Sequence, residues 1–301
     1  MQDKIRRLKS RLMHGVTPAM ATPLQADGYQ VNAAVVPSLI HFLIDAGVKG
    51  VFVGGTTGEG ILLDLNERMR LHEAAVTAAD GRFPVLLHVG ANRLDEAVTL
   101  ARHAAAVEAD AVVAITPTFY GMDEDSLASY YHALAEAAPE TPLMLYDIPH
   151  MAVNGITPGL LTRLGEELPT LAGIKSSRPD AQAVRQLIGA APDRAVILAG
   201  NERIALGLLA LGAHGLISGL STAVPEPFVA MTDAFANGRL VAARQAQSRI
   251  NAMLDQLPPK RRIGAIKRIL EERGLSVGAA VPPRSAHESG LWSRIAPLAS
   301  L

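Results

Sequence analysis

The chain contains no cysteine. Disulfides, thiol nucleophiles and thiolate metal sites are therefore excluded, and nothing in the composition marks a redox compartment. An excess of one charge sign is missing too: 28 Lys and Arg stand against 29 Asp and Glu, a formal net charge of −1. Without a basic surplus there is no electrostatic basis for nucleic acid or an anionic membrane as partner. Long apolar runs are also lacking. The most apolar tract, Ile204 to Leu220, is interrupted by glycines and His214 and does not read as a membrane span. The basic stretch Met1 to Arg11 has no apolar core of the secretory type. A cytoplasmic protein is expected.

What is present is apolar content, 49% of 301 residues, enough for a sizeable core in one large domain or two small ones. A pattern recurs with a period of about 25 to 30 residues: a helix-period segment, a short apolar run, then Gly, Thr, Pro or Asn. Continuous rather than alternating apolarity suits parallel strands covered on both faces. Candidate strands are Val16–Ala21, Gly50–Gly54, Pro84–Val89, Ala111–Ile115, Pro142–Asp147, Leu171–Lys175, Ala195–Ala199 and Gly215–Ser218. Asn92 is placed to cap one intervening helix, and Thr157-Pro158 to start another. Eight such units predict an α/β fold, a (β/α)₈ TIM barrel with a C-terminal helical extension. A doubly wound sheet is the alternative, but no Gly-x-Gly-x-x-Gly follows the first strand. Residues 1–14 are expected to form a lead-in helix, with Ile5, Leu8 and Leu12 at helical spacing, residues 15–237 the barrel, and 238–301 helices packed on the barrel or another subunit.

Active sites of such barrels lie at the C-terminal ends of the strands. Of the lysines, Lys4 and Lys9 fall in the lead-in, Lys260 and Lys267 in the extension, and Lys49 before a strand. Only Lys175 ends one. An amine desolvated by barrel walls can attack a ketone or aldehyde to give a Schiff base, an electron sink for making or breaking carbon–carbon bonds. The plainer reading is an ion pair with Glu59 or Glu202. Tyr146 ends the neighbouring strand and could carry the proton, or could simply be a core aromatic with a satisfied hydroxyl. Thr56 and Thr57 sit in a glycine-rich loop suited to holding a carboxylate, or in a plain tight turn. Glu59, His88, Asp147, Glu202 and His214 are conceivable metal ligands, but no two show a usual metal-binding spacing.

Gly55-Thr-Thr-Gly-Glu59, Tyr146-Asp-Ile-Pro149 and Gly173-Ile-Lys175, followed by Gly200 and Gly215-Leu-Ile-Ser218, resemble the dihydrodipicolinate synthase/N-acetylneuraminate lyase family over nearly the whole chain. The resemblance implies a pyruvate-type Schiff-base lyase or aldolase, usually a homotetramer (a dimer of dimers), with no metal or organic cofactor. It implies Lys175 as the imine lysine and Tyr146 as the proton carrier, with Thr56 and Thr57 at the keto-acid carboxylate and Thr56 also in the proton relay. Gly200 and Ile217 would line the pocket, Ser218 matches the residue after that isoleucine, and Gly55, Met151 and Tyr120 are expected at the substrate as well.

Three departures bear on the substrate. The synthases place an arginine two residues after Tyr-x-x-Pro, where this chain has Met151. Their relay tyrosine, two residues after the Thr-Pro of the fourth strand, is here Phe119, with Tyr120 beside it. His88 stands where they carry a small residue. Loss of a charge-assisted carboxylate contact costs about 1.5–3 kcal/mol. The expected substrate is therefore a hydroxy- or 3-deoxy-2-oxo acid with a neutral or apolar far end, formed from or cleaved to pyruvate and an aldehyde. Condensation of pyruvate with aspartate semialdehyde, using Tyr120 and another cation such as Arg178, is the rival. A non-catalytic binding or regulatory barrel and a metal-dependent lyase are the others.

Overall fold

Eight parallel strands close into a barrel with helices between them. The computed structural model describes residues 1–284 and 288–299. The strands are β1 (Val16–Pro18), β2 (Val51–Val53), β3 (Val85–His88), β4 (Ala111–Ile115), β5 (Leu143–Asp147), β6 (Leu171–Ser176), β7 (Val196–Ala199) and β8 (Gly215–Ser218). They are hydrogen-bonded in the order β1-β8-β7-β6-β5-β4-β3-β2. A parallel bridge between Ala19 and Phe52 closes the seam between β1 and β2. Pro84 and Pro142 fall just outside the strands expected to begin with them. A proline has no N–H to give, but their carbonyls accept from Val51 and Val112 at 2.9 Å.

Thr157 starts its helix as expected, its hydroxyl accepting from Leu160 N at 3.0 Å with Pro158 at the first helical position. Asn92 does not cap. The helix Leu94–Ala106 begins at Arg93, and Asn92 Oδ1 instead accepts from the backbone and hydroxyl of Thr118 at 2.7 and 2.9 Å. The loop after β4 outcompetes the helix end for that acceptor.

The core has two parts. One lies between strands and helices, the other inside the barrel. The N-terminal helix, Gln2–Leu12, belongs to the second. Its Ile5, Leu8 and Leu12 are buried with Leu86, Val113 and Met144 from the strand interior, plugging the end of the barrel opposite the strands' C-termini. Its cations hold it there. Lys4 donates to Glu140 O (2.6 Å), Lys9 to Asp193 O (2.7 Å) and Arg11 to Gly81 O (3.0 Å). The basic N-terminus is thus spent on the protein's own loop carbonyls. Beyond the barrel run the helices Leu240–Asp255, Arg262–Glu272 and Leu291–Ala299.

Leu12→Ala should lower stability by about 2–5 kcal/mol by opening a cavity under the barrel. Urea denaturation should show a lower midpoint with an unchanged slope.

Candidate active site

Side chains on a strand alternate between faces. On β6, Leu171 packs outward and Ala172 inward, so strict alternation would turn Lys175 out toward the helices. The β5–β6 register shifts instead. Leu143 pairs with Leu171, but Met144 pairs with Gly173. After this bulge Ile174 packs outward and Lys175 comes level with Tyr146, pointing into the barrel. Position 173 must be glycine, because a Cβ there would stand 2.3 Å from the Val196 carbonyl oxygen.

Lys175 is 4% exposed. Its Nζ lies 3.9 Å from the centre of the Tyr146 ring and 4.8 Å from that of Phe52. Aromatic faces stabilise an ammonium only partly. Neither carboxylate proposed as its partner reaches it: Glu59 pairs with Lys267 and Arg284, and Glu202 with Arg262. The Tyr146 hydroxyl is 2.9 Å from Thr56 Oγ1. Thr56, Thr57, Tyr146, Lys175, Gly200 and Ile217 all line one cavity of about 640 Å³ at the C-terminal ends of the strands. Met151 lines it too, at the outer edge, 55% exposed.

Three expected site residues lie off this wall. Gly55 lets the loop fold onto the Phe52 ring, where a Cβ would come within 2.3 Å of ring carbon. Ser218 is buried and donates to Glu202 Oε1 at 2.8 Å. Tyr120 is 75% exposed beside Phe119, its ring turned to the surface. Arg178 is not free to replace the missing arginine, because its guanidinium donates to both oxygens of Asp147 at 2.7 and 3.0 Å.

His88 lies against the Phe52 and Tyr146 rings without lining the cavity. Arg68 approaches its Nδ1 at 3.2 Å and donates to its carbonyl at 2.9 Å. Burial, then the charge of Arg68, with His72 and Lys175 adding smaller effects, holds the His88 pKa well below the usual histidine range. The imidazole is neutral at pH 7. Among the described residues no three His, Asp or Glu are grouped to hold a metal ion.

Glu59 has a role that the linear motif did not disclose. Its backbone is left-handed, with φ 56°, and this turns the side chain down from the threonine loop into the protein. Oε1 accepts from Val281 N (2.9 Å) and Arg284 (3.1 Å), while Oε2 sits 3.4 Å from Lys267 Nζ. The extension is thereby fastened beneath the loop that carries Thr56 and Thr57. It also supplies cavity wall, from Pro259 to Gly264. Lys260, set aside by its position in the sequence, is part of that wall; the signal for it was the run Lys260-Arg-Arg262 in an otherwise balanced chain.

The dihydrodipicolinate synthetase family model matches residues 12–290. A 4-hydroxy-tetrahydrodipicolinate synthase of Salinibacter ruber is 34% identical over 239 residues, 79% of this chain and 78% of that protein. Among solved structures, wild-type sialic acid aldolase of Ruminococcus gnavus superposes with a TM-score of 0.91, at 28% identity over 96% of this chain and 97% of that one. A prophage protein of the dihydrodipicolinic acid synthase family from E. coli K12, in complex with pyruvate, gives 0.86 at 27% identity, covering 94% and 96%. The chain belongs to the dihydrodipicolinate synthase family, whose members are carbon–carbon lyases.

Burial, only partly offset by Glu59, pushes the Lys267 pKa down from 10.5 to about 8. Between those values the unfolded chain keeps this proton and the folded chain has released it. The Lys267 contribution to stability therefore rises as pH climbs from about 8 toward 10.5. Denaturation midpoints of wild type minus those of Lys267→Met should increase across that range.

Proposed function

We propose that this protein is a class I lyase, forming a Schiff base through Lys175 and making or cleaving a hydroxy- or 3-deoxy-2-oxo acid from pyruvate plus an aldehyde. The observation that carries this is a buried amine with no carboxylate partner among the described residues, in register with a tyrosine whose hydroxyl meets a threonine at 2.9 Å. Lys175 Nζ attacks the ketone carbon of the oxo acid, and loss of water leaves the protonated imine. Removal of a proton from the adjacent methyl group gives the enamine. Its carbon attacks the aldehyde carbon, the aldehyde oxygen takes up a proton, and water releases the product from the lysine. Tyr146, linked to Thr56, moves these protons, and Thr56 and Thr57 receive the oxo-acid carboxylate.

The likeness to a synthase from Salinibacter ruber supports a second reading, condensation with aspartate semialdehyde. Met151 weighs against it, as does the commitment of Arg178 to Asp147. The reading needs no organic cofactor. We further place the enzyme in the cytoplasm as a homotetramer built as a dimer of dimers. In support, no helix among the described residues is long and apolar enough to cross a membrane, and Phe119 and Tyr120 present adjoining aromatic rings to the outside, 77% and 75% exposed. In such an assembly Tyr120 would contribute to a partner's site rather than its own.

Borohydride reduction with pyruvate should leave a pyruvate-derived mass on the peptide that holds Lys175, and none in Lys175→Ala. Absence of the adduct in the wild-type protein would overturn the reading. Tyr146→Phe keeps the ring over the amine and removes the hydroxyl. Its aldol turnover should fall roughly 10²–10⁴-fold, measured at saturating pyruvate.

A further inference from the structure

The cavity above Lys175 has a volume of about 640 Å³, enough for roughly 20 waters at about 30 Å³ each. A three-carbon oxo acid fills a small part of it, so the rest is available to the other half of the substrate. Among the described residues, its wall carries one carboxylate, Glu202, and six lysines and arginines. Three of those cations are already matched. Arg262 pairs with Glu202, Arg203 with Asp255 at 2.7 Å and Arg284 with Glu59 at 3.1 Å. Lys175 is the reacting amine. Lys260 and Arg261 remain, both exposed, with no ion pair among the described residues.

These two are presented on a stiff support. Pro258 and Pro259 fix the backbone of a single 3₁₀ turn, Pro259–Arg261, closed by Arg261 N donating to Pro258 O at 3.0 Å. The next residue, Arg262, fastens the turn to the barrel through Glu202. That carboxylate also accepts from Ser218 Oγ at 2.8 Å and Leu220 N at 2.9 Å, at the end of β8. The turn is therefore clamped over the mouth by its own neighbour, with two unmatched cations on it.

We propose that Lys260 and Arg261 receive a second anionic group on the substrate, a phosphate monoester carried by the aldehyde half. A phosphate monoester brings a charge of about −1.5 to −2 at pH 7 and three acceptor oxygens, which matches two cations; a carboxylate would leave one over. The neutral far end expected from Met151 is replaced by this charge, supplied by the C-terminal extension rather than by the loop after β5. The inference rests on the lyase reading above, which puts the oxo acid at Lys175 and the aldehyde half outward.

The test uses the full chain, wild type and Lys260→Ala/Arg261→Ala, titrated calorimetrically with glycerol 3-phosphate, glycerol and succinate. Wild type should bind glycerol 3-phosphate in preference to both, and the double variant should bind it about tenfold or more weaker. In aldol assays with pyruvate, the KM for glyceraldehyde 3-phosphate should rise by a similar factor in the variant, with kcat nearly unchanged and the KM for glyceraldehyde unaffected. Equal binding of glycerol 3-phosphate to both proteins, or succinate binding as strongly as the phosphate, would overturn the proposal. Pyruvate trapping on wild-type Lys175 is read separately. An adduct with no phosphate preference defeats only the anion site, and phosphate binding without an adduct defeats only the lyase reading.

Discussion

A primary amine held 4% exposed, with no counter-charge among the described residues, is the constraint around which this molecule is arranged. Burying an unpaired cation is costly. Two aromatic faces offset only part of that cost. Three carboxylates around the mouth of the barrel are engaged elsewhere. Glu59 is turned away by its left-handed backbone, Asp147 is saturated by Arg178, Ser176 and Ile156 N, and Glu202 is held by Arg262 and Ser218. An amine denied an ion pair is left for chemistry.

Those three carboxylates are the scaffold of the site. Each joins a loop at the mouth of the barrel to something distant in sequence: Glu59 to Val281 and Arg284, Asp147 to Arg178, Glu202 to Arg262. Two of the three reach into the C-terminal extension. The extension therefore does more than cover the barrel. It fixes the threonine loop from beneath and contributes part of the cavity wall.

Much of the fold was legible because a buried parallel strand and an amphipathic helix each leave a local pattern. All eight expected strands occur, within a few residues of their expected ends, and Thr157 caps as its neighbourhood indicates. Asn92 did not follow its local signal, since its acceptor can serve either a helix end or a loop and here takes both donors of Thr118. The candidate site was legible at and just beyond the C-terminal ends of strands: Lys175, Tyr146, Thr56, Thr57, Gly200 and Ile217 share one wall. Position along a strand does not say which way a residue faces. Gly55 and Ser218, at equivalent places, serve the loop and the Glu202 network instead.

By itself the sequence determined the order of elements, the lack of thiol chemistry and the single lysine at a strand end, because each is a matter of residue type and local spacing. Tertiary structure decided which way that lysine points. A one-residue bulge opposite Met144, permitted by the absence of a side chain at Gly173, reverses the alternation that β6 would otherwise follow. It also decided which carboxylates the lysine does without, and it brought Lys260 and Arg261 over the mouth from about 85 residues away along the chain. Periodicity reports only on near neighbours. Pairings made across the whole fold depend on how the finished surfaces meet.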